Sequence, residues 1–172
     1  MVFTVSRRRS SAGTTMTILA AAWLIGCGGS ADTTDPDGHI RYAPPEGWEL
    51  VEASNGTRYR PADAPNLATI QVSTIADDGT HDLEAEKRAW LEFQAQSGQE
   101  IRADRDWSDA HHRGYEYVHT VETNHGAGVW HHVLARGDGY RIAAHLQTTP
   151  GRYPDDRAVF ERVVGSIRPV AP

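Results

Sequence analysis

GYEYVHTVE (Gly114–Glu122), VWHHVLAR (Val129–Arg136) and YRIAAHLQ (Tyr140–Gln147) follow one another with only short turns between them. Each alternates side chains with a period of two and is rich in Tyr, Val, Ile and Trp, the pattern of a half-buried β-strand. The breaks at Asn124–Gly128 and Gly137-Asp138-Gly139 are turn chemistry. Two hairpins in series are antiparallel by connectivity, so this stretch predicts a three-stranded antiparallel meander. Centring the first turn near Gly126 and the second on Asp138 places Val121, His131 and His145 abreast on neighbouring strands. His119 is then one step along on the same face. The opposite face would carry Val118, Trp130, His132, Leu134, Ile142 and Leu146 as core. A slip of one residue in either turn reverses every one of these assignments.

Working outward, Asp155 or Asp156 opens a helix in which Phe160, Val163, Val164 and Ile167 recur at i, i+3, i+4 and i+7, and Pro169 ends it. Upstream of the meander, Ile101 to Trp107 reads as a further strand. Before that comes a helix that Thr80 can cap, with Leu83, Ala89, Trp90 and Phe93 as its inward stripe and Gly98 as its stop. Leu67 to Ile75 alternates as a strand with Ile70 and Val72 inward. Asn55-Gly56 is a hairpin turn signal between Trp48–Val51 and Thr57–Arg60. Ile40 to Ala43 forms a short first strand, and Pro45-Glu46-Gly47-Trp48 a turn that throws an indole inward. The expected class is α+β, a central antiparallel sheet flanked by helices.

This order of elements resembles the PsbP-like fold, which occurs in the PsbP subunit of photosystem II and in small bacterial lipoproteins of the DcrB type. The residues that carry the resemblance are Tyr42-Ala43-Pro44-Pro45-Glu46-Gly47-Trp48, the helix around Trp90, and Phe160 to Ile167. It spans residues 39–170 and implies an α-β-α sandwich. It implies no catalytic residues, because members of this fold mostly bind or support partners.

The N-terminal quarter is of a different kind. Arg7-Arg8-Arg9 precedes an apolar run from Met16 to Ile25, too short for the roughly 20 residues that cross a bilayer but right for a secretory signal. The run ends at Leu24-Ile25-Gly26-Cys27, and Cys27 is the only cysteine of the 172 residues. Branched residues, a small residue and then a single thiol look like the lipobox of a bacterial lipoprotein. Residues 1–26 are then a signal peptide, Cys27 is the lipidated residue, and 27–38 is a flexible tether free of large apolar side chains. Gly28 after the cysteine, where an Asp resembles an inner-membrane retention signal, points to the outer membrane in a host that has one.

Composition sets limits on function. Without Arg7–Arg9 the chain carries 14 Lys and Arg against 23 Asp and Glu, a net −9. That balance excludes a basic nucleic-acid interface. There is no Gly-x-Ser-x-Gly, Ser-x-x-Lys, HExxH, CxxC or phosphate-binding glycine loop. The acid pairs Asp77-Asp78 and Asp155-Asp156 sit where turns and helix caps use them. The expected function is a membrane-tethered, non-catalytic binding or assembly module of the cell envelope. It has no cofactor beyond the covalent lipid, and its partner is another envelope protein or a small ligand. The alternative is a histidine metal site. Seven of nine histidines fall between His111 and His145, and His119, His131 and His145 on one sheet face would suit Zn or Cu.

Overall fold

The computed structural model describes residues 31–171 apart from 52, 98, 124 and 125. Leu24, Ile25, Gly26 and Cys27, which were read as a lipobox, and the helix stop assigned to Gly98 lie outside the described residues.

Ten strands and two helices follow in chain order. The strands before the first helix are β1 (Thr33–Thr34), β2 (Ile40–Tyr42), β3 (Trp48–Val51), β4 (Thr57–Pro61) and β5 (Ala68–Ala76). After α1 (Leu83–Gln96) come β6 (Ile101–Ser108), β7 (Arg113–Thr123), β8 (Gly126–Arg136) and β9 (Tyr140–Thr148), then α2 (Tyr153–Gly165) and β10 (Arg168–Pro169). Seven strands form one antiparallel sheet in the order β3-β4-β5-β9-β8-β7-β6, and β1-β2-β10 form a second, three-stranded one. The helices cover opposite faces of the large sheet. This is the expected α+β sandwich, with the meander in place as β7-β8-β9.

One face holds the apolar core. Buried Ile70, Val72, Val133, Ile142, Ala144 and Leu146 alternate along β5, β8 and β9 and meet Phe160, Val163, Val164 and Ile167 of the C-terminal helix region. Complete burial of side chains of this size stabilises the fold by roughly 1.5–3 kcal/mol each. The small sheet closes the same core with Ile40 and Tyr42. At the Asn55-Gly56 turn the backbone needs a glycine twice over. Gly56 has φ +72°, and a Cβ there would lie 2.3 Å from the Val72 carbonyl oxygen.

The folded unit begins earlier than residue 39. The last part of the expected tether is built into the small sheet, with Thr33 opposite Tyr42 and Thr34 opposite Arg41. The reason is Asp35, a buried carboxylate. It accepts from the Ile40 amide at 2.7 Å and the Asp37 amide at 3.2 Å, and the Thr74 hydroxyl donates to it across the gap to β5.

The first helix also differs from its expected form. Asp82, not Thr80, caps it, accepting from the Glu84 and Ala85 amides at 3.0 and 3.2 Å, while the Thr80 hydroxyl donates to Asp78. Its inward stripe is not Leu83, Ala89, Trp90 and Phe93. Ala89 and Phe93 are exposed, and the residues turned to the sheet are Leu83, Glu86, Lys87, Trp90, Leu91 and Gln94. The sheet beneath is polar and aromatic, so long polar side chains reach it better than short apolar ones. Lys87 Nζ meets Asp104 at 3.2 Å and Asp106 at 3.1 Å, and the Trp90 ring rests on Tyr117. The last helix starts at Tyr153, with Pro154 in its first turn, two residues before the expected Asp155.

Candidate functional site

The histidines of the meander divide between the two faces of the sheet, and register decides which goes where. The β7–β8 register is centred one to two residues before the expected Gly126, with Thr123 opposite Gly126 and Tyr117 opposite His132. The next pairing sets His132, not His131, opposite His145. The face under α1 therefore carries Tyr117, His119, Trp130, His132 and His145. The set His119, His131 and His145 is not brought together. His119 and His145 share a face, and His132 stands between them where His131 was expected. Trp130, His132 and Leu134 correspondingly leave the core face, and His131 enters it.

Under α1 the three imidazoles form a hydrogen-bonded row. His119 Nδ1 lies 2.6 Å from Gln99 Oε1, His119 Nε2 lies 3.2 Å from His132 Nε2, and His132 Nδ1 lies 2.5 Å from His145 Nδ1. The partners determine the tautomers. An amide oxygen only accepts, so His119 donates from Nδ1 and accepts at Nε2 from His132. His132 in turn accepts at Nδ1 from His145. One direction of donation runs the length of the row, and it requires neutral rings. Burial lowers the His119 pKa. Burial, then the neighbouring positive charge of His145, His119 and His131, lowers His132 well below the ordinary value. Burial brings His145 down to about 4. Aromatic rings enclose the row. Tyr117 stacks on His132 with centroids 4.4 Å apart, and Trp90 and Trp130 approach His119 at 5.5 and 5.7 Å. Among the described residues no three His, Cys, Asp or Glu side chains are arranged to hold one metal ion together.

His131 belongs to the other face. Its Nε2 donates to Glu116 Oε1 at 2.9 Å, its Nδ1 faces the Tyr153 hydroxyl at 3.4 Å, and its ring packs on Phe160 with centroids 4.8 Å apart. Arg105 closes the far side of Glu116 with a bidentate pair at 2.8–2.9 Å. Burial alone would raise the Glu116 carboxyl. The hydrogen bonds from His131 and Arg105 outweigh it and hold the group below the usual carboxylate range. A small cavity of about 120 Å³ opens beside this pair, lined by Trp107, Phe160 and Val164 among others.

A third arrangement was missed by the sequence reading. Asp109 binds the His112 ring at Nδ1 at 2.9 Å, and His112 Nε2 meets the Tyr140 hydroxyl at 2.9 Å. Carboxylate, imidazole and hydroxyl in that order can activate a nucleophile. This one is packed away instead, because Tyr140 is 5% exposed and burial raises its phenol. The signal available in sequence was Asp109 three residues before His112, spacing for an Asp that folds back on its own loop. The acid pairs are structural too. Asp77 pairs with Arg136 at 2.6 Å, and buried Asp156 takes the Thr148 hydroxyl at 2.5 Å and Arg152 at 3.2 Å.

No protein-family model and no curated protein matches the chain. Solved structures do. Cyanobacterial PsbP (CyanoP) from Synechocystis sp. PCC 6803 superposes with a TM-score of 0.62 at 15% identity, over 85% of this chain and 98% of that one. The fold is PsbP-like. LpqN of Mycobacterium tuberculosis, described as involved in cell envelope biogenesis, matches with a TM-score of 0.60 at 14% identity, over 82% of this chain and 90% of its own. The Ran-binding protein Mog1p of Saccharomyces cerevisiae matches with a TM-score of 0.56 at 12% identity, over 81% and 95%. The PsbP-like architecture thus serves proteins with unrelated tasks, and at these identities the likeness is one of fold.

Proposed function

We propose that this chain is a lipid-anchored lipoprotein of the bacterial cell envelope whose PsbP-like domain is a non-catalytic binding or assembly module. The observation that carries the reading is Leu24-Ile25-Gly26-Cys27. The only thiol in the chain stands at the end of a basic-then-apolar leader, six residues before the first strand. Diacylglycerol on that sulfur with a further acyl chain on the new amine makes a stable anchor, at about 0.8 kcal/mol per buried CH₂. Gly28 favours the outer membrane where the host has one. The envelope role described for LpqN and the partner-binding role in the name of Mog1p support a module that works through contact. So does the use of the buried carboxylates and imidazoles, which are spent on one another in the rows and pairs above. The partner is another envelope protein; the acidic body does not suit nucleic acid.

Mass spectrometry of the native protein tests the anchor. The expected species begins at residue 27 and carries acyl chains, and Cys27→Ser abolishes both the acylation and the cleavage, so that its mass includes the leader. A bare Cys27 behind an uncleaved leader would remove both the compartment and the partner class. Crosslinking in intact cells, followed by identification of the adducts, tests the module itself.

A further inference from the structure

The inner rings of the row under α1 have no room for another proton. We infer that α1 is an acid-released cover: protonation of the row parts the helix from the sheet and bares Tyr117, Trp130 and the inner side of Trp90. Lone pairs are the reason. His119 takes the His132 proton on its one acceptor nitrogen, Nε2, at 3.2 Å, and His132 takes the His145 proton on its one acceptor, Nδ1, at 2.5 Å. A further proton on either ring sets two N–H groups head to head at those distances, and the row cannot keep both bonds. A proton on His145 leaves its bond to His132 in place but puts a charge beside neutral rings. Clusters of buried histidines switch in acid on this principle.

Among the described residues, no group facing the row offsets such a charge. From α1, Glu86 is engaged by His81 at 2.8 Å and lies 3.7 Å from Arg141 of β9, and Lys87 is itself a cation, held by Asp104 and Asp106 of β6. β7 adds the phenols of Tyr115 and Tyr117. β5 sets Gln71 opposite His145, with its amide oxygen taken by Arg58. After α1 come the neutral Gln99 amide on His119 and the Glu100 carboxylate, which the Thr120 hydroxyl meets at 3.5 Å. Behind the sheet, a positive charge on His131 opposes one on His132, and Glu116 is bound to His131 and Arg105. The helix itself has two unequal ends. At its head the His81–Glu86 pair gains from mild acid, and Arg136 donates to the His81 carbonyl oxygen. Over the row it is held by Trp90 against Tyr117, His119 and His132, by half-buried Leu91, and by Gln94, whose buried Oε1 has no hydrogen-bond partner among the described residues. The Trp90–Gln96 half is the part that lifts.

Hydrogen exchange read by mass spectrometry on the untagged full chain, with Cys27→Ser, tests this at pH 7.5 and 5.0. A ring freed by opening takes its proton near pH 6.5, so each one multiplies the opening constant by about thirty between these conditions. Protection factors across Trp90–Gln96, corrected for the slower chemistry of exchange in acid, should fall about tenfold or more and stay below those of Tyr153–Gly165 at both pH values. His132→Gln keeps an amide at the centre of the row but takes no proton, and its fall should be about threefold smaller than the parent's or less. His145→Gln serves in its place if circular dichroism shows His132→Gln unfolded. A smaller fall in the parent, equal protection of the two helices, or a folded variant that falls as far as the parent overturns the assignment.

Discussion

His145, with its pKa near 4, and His119 and His132, both lowered mainly by burial, give the domain a specific pH response. In the unfolded chain such rings gain a proton near pH 6.5. In the folded protein they refuse it until lower pH. The unfolded state therefore binds more protons in this window. The stability the rings confer is present above about pH 6.5 and is lost as pH falls through their lowered folded-state values, about 4 for His145. The urea midpoint should be lower at pH 5.0 than at pH 7.5, and His145→Gln should flatten the dependence. An unchanged midpoint would mean that the rings charge freely in the fold. On the opposite face, Glu116→Ala strips the His131 N–H of its acceptor inside the core and should cost about 3 kcal/mol by denaturant titration. Arg105→Ala should cost under about 1 kcal/mol, because the Arg105 side chain is 59% exposed. Which histidine faces which helix was not legible in the sequence. The alternation of VWHHVLAR is plain, but its phase hangs on turn centres that composition places only to within a residue or two. His131 and His132 exchanged roles on that account.

Among the elements, the β7–β8 pair is the most closely fitted. A Cβ on Gly114 would lie 1.9 Å from the Leu134 carbonyl oxygen and 2.5 Å from the Ala135 Cα. Those are backbone atoms that no rotamer change can move aside. Gly114→Ala should destabilise the domain by about 3 kcal/mol or more, or prevent its accumulation, as read by thermal melting and soluble yield. The two helices were legible to different degrees for a physical reason. The last helix packs on a dry face, so the spacing of Phe160, Val163, Val164 and Ile167 was enough to orient it. The first helix packs on imidazoles, phenols and charged edge residues, so its apolar letters misled and Ala89 and Phe93 point outward. A helix held by Lys87, Glu86, Trp90 and Gln94 buries little apolar surface, and such elements open at lower free energy than a core. Amide hydrogen exchange should be measurably faster across Leu83–Gln96 than across Tyr153–Gly165. Equal protection of the two would show that the polar layer is as strong as the apolar one.

At the scale of the molecule, the sandwich and its meander were readable because each rests on long runs of period two and on a familiar order of elements. The beginning of the folded unit was not readable. GGSADTTDPDG carries nothing that resembles a strand, and only the pairing of Thr33 and Thr34 with β2, together with the buried Asp35, brings it into the domain. The folded unit thus begins by Thr33 and not at residue 39. Six residues of extended chain reach at most about 21 Å, so a lipid on Cys27 would hold this domain close against its bilayer. The same feature sets the route of mechanical load. Were Cys27 anchored, tension on the chain would enter a two-residue ribbon and pass through the Asp35 carboxylate to Thr74, in an interior strand of the large sheet. Such a pull would load β1, an edge strand of the small sheet, and the Asp35–Thr74 hydrogen bond that ties it to the large one.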